Sequence, residues 1–127
     1  MIAEIAASLR RRDTSCVRLV EDALNGIEQH NPRLNAFITV LSDKARRRAA
    51  ELDSELARGA DRGPLHGIPI AVKDLIHIKG ERTTAGSPLF EDFVATYDAT
   101  VVLKLEQAGA VIVARDGFFL RQARQIQ

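Results

Sequence analysis

The residue best placed to do chemistry is Lys73, which directly follows an apolar run in the segment GPLHGIPIAVKD. That run, residues 68–72, has the length and the β-branched content of a buried strand. Because side chains on a strand alternate between faces, Asp74 is expected to point away from Lys73 and not to neutralise it. A lysine amine that is desolvated without a counter-charge has a lowered pKa, and the neutral amine can accept a proton. The position therefore makes Lys73 a candidate general base.

A simpler interpretation of Lys73 stays open. Lysine is seldom fully buried, and at the end of a strand it usually extends its ammonium into water while its methylenes cover apolar surface. On that interpretation the residue has no chemical role.

A general base needs a nucleophile, and the best serine candidate is Ser87 in TTAGSP, residues 83–88, since a loop after the Lys73 strand can approach the base. The alternative is that Ser87 and Pro88 form a turn in which the hydroxyl bonds nearby backbone. Cys16 is expected on a helix and is not predicted to be a thiol nucleophile. The other serines are expected on helices or their caps: Ser8, Ser15, Ser42 and Ser54.

The three histidines do not have the spacing of a metal site. His66 and His77 are separated by the predicted strand, His30 precedes Asn-Pro, and no His-x3-His or Cys-x2-Cys pattern occurs. We therefore predict no metal and no cofactor, with His66 as a loop residue. The single cysteine excludes an internal disulfide and favours a reducing, cytoplasmic setting.

Composition limits the remaining classes of function. The chain has 127 residues, 46% hydrophobic and 28% charged, with a net charge of +1, which is typical of one soluble globular unit. Near-neutral charge, with no Trp and one Tyr, gives no reason to expect a nucleic-acid partner. No apolar window approaches the about 18 residues of a membrane span, and the N-terminus lacks the order of a secretory signal.

Residues 1–59 are predicted to form a helical arm. Apolar positions at three- and four-residue steps indicate two helices between residue 2 and about residue 30, with residues 13–15 capping the second. Asn31-Pro32 is expected to end that helix. After it we predict a short strand within residues 34–41 and a third helix that begins at Ser42 or Asp43.

Residues 60–114 have the pattern of a βαβ unit. A linker rich in Gly at residues 59–63 precedes it. A strand, a crossover helix and a second strand are typical of a parallel sheet. The three elements are predicted at residues 68–72, 100–108 and 110–113.

Five segments of the chain, in order, closely resemble the N-terminal part of the amidase signature family. They are HNPRLNAFITV, GPLHGIPIAVKD, TTAGSP, DATVV and LEQAGAVIVAR, within a match over nearly all of residues 5–114. The resemblance implies an α/β fold: the N-terminal fragment of the amidase signature fold, in which a helical arm is followed by the first βαβ portion of a mixed sheet covered by helices. It places the start of the amidase core in residues 60–114.

The resemblance also implies that Lys73 is catalytic. In the family the neutral lysine relays a proton through a serine preceded by a cis peptide to a nucleophilic serine, and this Ser-cisSer-Lys arrangement hydrolyses carbon-nitrogen bonds of non-peptide amides without a metal. TTAGSP looks more like a general amidase than the glutamine-hydrolysing A subunit of a tRNA-dependent amidotransferase, which tends to have a Cys in that motif. Both alternatives stay open, and the implied partner is a small amide substrate.

The resemblance ends near Arg115. A family member typically continues after the AVIV strand with Gly or Ala and then Lys-Thr-Asn, whereas here Ala114 is followed by Arg115-Asp116-Gly117. We expect residues 115–127 to be a divergent tail, and both catalytic serines to be absent through truncation or frameshift. The chain alone is then expected to be inactive, or to act as a non-catalytic fragment or interaction module. Open strand edges and Phe118-Phe119-Leu120 are expected to favour homo-oligomers or aggregation.

Overall fold

Four helices pack around a small sheet in the computed structural model, which describes residues 1–85 and 87–117. The predicted capping of the second helix is confirmed, because the Ser15 hydroxyl accepts a hydrogen bond from the Arg18 amide at 3.1 Å. The third helix begins at Ser42, as predicted. The helices are α1 (Ile2–Arg10), α2 (Cys16–Leu34), α3 (Ser42–Ala57) and α4 (Thr100–Gln107).

The second helix does not end where its sequence suggested. It passes through Asn31-Pro32 and ends at Leu34, so the predicted stop is wrong. Pro32 lies in the last turn, where its ring removes a single backbone N–H from the ladder. The Asn31 side chain then fixes the backbone that follows the helix. Its Oδ1 accepts the Phe37 amide at 2.9 Å, and its Nδ2 donates to the Phe37 carbonyl at 3.0 Å. Asn35, with φ of 52°, provides the left-handed cap.

The sheet is mixed, with β3 between the other two strands. The strands are β1 (Phe37–Val40), β2 (Pro69–Lys73) and β3 (Val111–Asp116), in the order β1-β3-β2. β3 pairs parallel with β2 and antiparallel with β1. The parallel pair, joined through α4, confirms the predicted βαβ unit.

Apolar residues of β3 build a core on each face of the sheet, because neighbouring strand residues point to opposite faces. Val111 and Val113 pack with α1, α2 and α3 in the larger cluster. Ile112, between them, contributes to a smaller cluster. Residues from the predicted arm and from the predicted α/β portion thus share one sheet and the larger apolar cluster. The larger cluster contains Leu9, Cys16, Val20, Leu24, Ala45, Ala49, Leu52, Val111, Val113 and Ala114, and the smaller one Val72, Ile78, Val102 and Ile112.

Two edges of this sheet are open. Within residues 1–85 and 87–117, β1 and β2 each pair on one side only, so self-association through these edges stays a prediction. The Phe118-Phe119-Leu120 segment lies outside the described residues. None of the helices in the described part of the chain is long and apolar enough to cross a membrane.

Candidate active site

Lys73 is the last residue of β2, and its side chain is exposed. Asp74, which follows, is only 4% exposed, so the two side chains lie in different environments, as the strand alternation predicts. The register places Asp116 of β3 opposite Lys73, a neighbouring acid that the sequence argument did not consider. The expected enclosure of the Lys73 side chain among apolar side chains is not found among the described residues, since Lys73 is exposed whereas Val72 before it is 4% exposed.

A tight turn follows Lys73. The amide of Ile76 donates to the carbonyl of Lys73 at 3.0 Å, the hydrogen bond of a β-turn. The amide of Asp74 donates to the carbonyl of Asp116 at 3.0 Å, so the parallel ladder continues one residue past Lys73. The backbone on the C-terminal side of the lysine is therefore defined by hydrogen bonds.

Asp74 attaches this turn to the TTAGSP loop. Its carboxylate accepts the Thr84 amide at 3.2 Å and also the Thr84 hydroxyl. Its carbonyl accepts the amide of Ala85 at 3.3 Å. Because a buried carboxylate is tolerated only when its oxygens have partners, these bonds account for an acid in this place. The loop expected to approach the Lys73 strand is thus joined to the residue next to Lys73.

A fully buried arginine, Arg115, completes the surroundings of the turn. Its Nη2 lies 3.6 Å from Oδ1 of Asp74, and it donates to the carbonyls of Lys73 at 3.3 Å and Ile76 at 2.7 Å. Burial lowers the pKa of Arg115 from its ordinary value, and the Asp74 charge opposes that shift. Sequence reasoning missed this residue by assigning it to a divergent tail, although a charge directly after a buried AVIVA run was a usable signal.

Ser87 has a local role. Its hydroxyl accepts the amide of Leu89 at 3.3 Å and caps a short 3-10 turn, Pro88–Phe90. The turn interpretation of Ser87 therefore agrees with the structure, and this hydrogen bond gives no support to a nucleophilic role.

His66 is structural. It lies in a loop, as predicted, but it is only 1% exposed. Nδ1 accepts the Arg62 amide at 3.2 Å, and Nε2 lies 2.9 Å from the Leu52 carbonyl, so Nε2 carries the proton. Both ring nitrogens are used within the protein. Within residues 1–85 and 87–117, no group of three His, Cys, Asp or Glu side chains is placed to hold a metal ion.

Cys16 is buried at the start of α2. Burial, followed by the hydrogen bond and the charge of Asp53, raises the pKa of the Cys16 thiol to about 12. Since the thiolate is the reactive form, this residue is unsuited to nucleophilic catalysis, in agreement with the sequence prediction.

Comparison with known proteins decides the family. The family model described as Amidase matches residues 18–116. The chain belongs to the amidase family. This amidase-family chain is 46% identical over 114 residues to the A subunit of the glutamyl-tRNA(Gln) amidotransferase of Methylococcus capsulatus, covering 90% of the chain and 23% of that protein. The corresponding protein of Koribacter versatilis is 44% identical over 108 residues, with 85% and 22% covered.

Solved amidase structures share the fold. The peptide amidase from Stenotrophomonas maltophilia superposes with a TM-score of 0.82 at 35% identity, covering 91% of this chain and 24% of that one. A bacterial aryl acylamidase of the amidase signature family gives a TM-score of 0.82 at 28% identity, with 91% and 24% covered. The family and the fold expected from the motifs are confirmed. The amidase-family chain spans about a quarter of the length of these relatives.

Proposed function

We propose that this amidase-family chain supplies the lysine of a Ser-cisSer-Lys amide hydrolase, and that Lys73 is that lysine. The observation that carries the proposal is the position of Lys73 at the carboxyl end of the parallel strand β2, exposed and followed by a hydrogen-bonded turn. Ligands of α/β folds bind outside the carboxyl ends of parallel strands. The amidase match over residues 18–116 supports the same assignment.

The proposed chemistry is that of an activated nucleophile. The amine of Lys73 accepts a proton, through an intermediate serine, from the serine that attacks the amide carbonyl. The proton then goes to the departing amine, and water hydrolyses the acyl-enzyme. N–H donors stabilise the oxyanion. In this proposal both serines and those donors belong to polypeptide outside the 127 residues, so the chain alone is inactive.

Two substrate classes compete. The TTAGSP motif at residues 83–88 favours a simple non-peptide amide, as in a general amidase. The names of the relatives with 44 and 46% identity favour a glutamine-hydrolysing component of a tRNA-dependent amidotransferase. A third possibility, an interaction module without catalysis, is motivated by the open edges of β1 and β2.

We also propose a cytoplasmic setting, supported by the single buried cysteine.

A chimaera tests the proposal. Residues 1–116 replace the matching segment of the Methylococcus capsulatus relative, and hydrolysis of glutamine, acetamide and benzamide is followed by ammonia release. We expect the chimaera to turn over substrate. In its Lys73→Ala variant we expect kcat/KM to fall by about a hundredfold or more, since a general base usually contributes at least that factor. A difference in the relative rates on the three substrates between the chimaera and the unaltered relative shows what residues 1–116 contribute to substrate choice.

The matched control is Lys79→Ala. Lys79 is also an exposed lysine of this segment, and its hydrogen bond to Asp98 uses its backbone amide. The control is expected to keep full activity. A folded chimaera whose Lys73→Ala variant turns over as fast as the Lys79→Ala variant contradicts the proposal. Purified residues 1–127 are expected to give no turnover on any of the three amides.

A further inference from the structure

We propose that Arg115 is a positioning residue that clamps the turn following Lys73. Its Nη2 donates to the carbonyls at both ends of that turn, at 3.3 Å for Lys73 and 2.7 Å for Ile76. The Ile76 amide closes the same turn on the Lys73 carbonyl at 3.0 Å. The central strand of the sheet thereby fixes the backbone at the residue proposed as the base. The importance of the clamp for catalysis rests on the proposed function, whereas the clamp itself does not.

The clamp extends to the TTAGSP loop through Asp74. The Arg115 and Asp74 side chains are 1% and 5% exposed and lie 3.6 Å apart. The Asp74 carboxylate accepts the amide and hydroxyl of Thr84. Removing one member of a buried ion pair leaves an uncompensated charge, which is strongly destabilising. We therefore expect the Arg115–Asp74 pair to keep the turn, the TTAGSP loop and β3 in fixed relative positions.

Packing alone does not account for an arginine in this position. The residues before Arg115 on β3 are apolar and buried, and an apolar side chain would continue that pattern. Within the described part of the chain, Nε and Nη1 of Arg115 are buried without a hydrogen-bond partner. Unpaired buried donors are destabilising. What the arginine adds in return is the pair of bonds to the Lys73 and Ile76 carbonyls and the counter-charge for Asp74.

Amide hydrogen exchange on the 127-residue chain, followed by NMR, tests the clamp. The variant Arg115→Met removes the donors and the charge. We expect protection of the Ile76 amide to fall by about tenfold or more relative to that of Ala49, a buried residue of α3. Hydrogen bonds from charged groups are the stronger ones, and a local opening of the turn exposes Ile76 without exposing Ala49. Arg115→Lys, which keeps a charge and N–H donors, is expected to recover most of that protection.

Three results would overturn the proposal: unchanged Ile76 protection in Arg115→Met, an equal fall for Ile76 and Ala49, or no recovery in Arg115→Lys. An equal fall would mean that Arg115 supports only overall stability. If Arg115→Met does not fold, the double variant D74N/R115M, which leaves no unpaired buried charge, is measured against the same expectations. None of these readouts requires turnover, so failure of the clamp is distinct from failure of Lys73 as the base.

Discussion

The carboxylate of Asp53, on α3, accepts a hydrogen bond from the backbone amide of Cys16 at 2.8 Å. Its other oxygen accepts the amide of Val17 at 3.1 Å. Asp53 therefore caps α2 from a neighbouring helix, in addition to the local cap by Ser15. A negative charge at a helix N-terminus is favourable because it satisfies free amides and complements the helix dipole.

Replacing Asp53 by Ala is expected to lower the free energy of unfolding by about 1–2 kcal/mol, the usual effect of losing a cap. Urea denaturation measures the change. The control is Ser54→Ala, at an exposed neighbouring position on the same helix, which is expected to have almost no effect. Equal effects of the two substitutions would mean that the cap does not stabilise α2.

The Cys16 thiol is expected to be nearly inert in the folded protein. With its pKa raised to about 12 by burial and by Asp53, very little thiolate forms at pH 8. Alkylation by iodoacetamide, followed by mass spectrometry, should be about a hundredfold or more slower in buffer than in denaturant. Similar rates under the two conditions would show that the start of α2 opens readily.

Gly67 is a position where no larger residue fits. It has φ of +78°, and a Cβ there would overlap Sγ of Cys16. Gly67→Ala is expected to lower the free energy of unfolding by about 2 kcal/mol or more, since the left-handed conformation and overpacking both oppose a side chain. Thermal and urea unfolding check the change.

Gly26 provides the comparison for that substitution. It lies inside α2, and a Cβ there would meet nothing within 4 Å. Gly26→Ala is expected to stabilise the protein by up to about 1 kcal/mol, because Ala is the better helix former. If Gly67→Ala left stability unchanged or raised it, the proposed close contact at Gly67 would be wrong.

Acid sensitivity should depend on Glu55. The hydrogen bond from Arg62 holds the pKa of Glu55 at about 2, well below its ordinary value. A depressed pKa in the folded state contributes stability that is present above the ordinary glutamate pKa of about 4.3 and is lost as the pH falls towards 2. Glu55→Gln should therefore flatten the stability profile in that window. The exposed Glu4→Gln is the control, and identical profiles for the two variants would contradict the assignment.

Local signals were sufficient for much of the fold. The residues next to Ser15 and Ser42 were enough to predict the cap of α2 and the start of α3. The apolar periodicity around α4 indicated the βαβ unit. Pro32 misled the prediction because its effect depends on where in a helix it falls, and the contact that secures the helix end comes from Phe37.

The candidate site was harder to predict, because it is built from contacts between distant residues. Lys73 stood out from its own strand, but its exposure depends on which elements cover each face of β2: Val72 is 4% exposed, and Lys73 next to it is exposed. Arg115 and Asp74 pair across two strands and a turn. His66 is buried, and its Nε2 lies 2.9 Å from the carbonyl of Leu52 on α3, fourteen residues earlier. No pattern within a short window of sequence specifies which distant partner neutralises a charge or covers a ring.

Within residues 1–85 and 87–117, the central strand of this sheet is also the last of the three along the chain. β1 and β2 do not pair with each other, so among the described strands neither has a partner until β3 has been synthesised. Both pairings join segments that are far apart in sequence, and high contact order slows folding. During translation β1 and β2 therefore remain unpaired until β3 is available. The helices α2 and α3 are the elements able to pack against each other first. Formation of the sheet is therefore expected to be a late event, and the nascent chain to be most prone to misassociation before β3 leaves the ribosome.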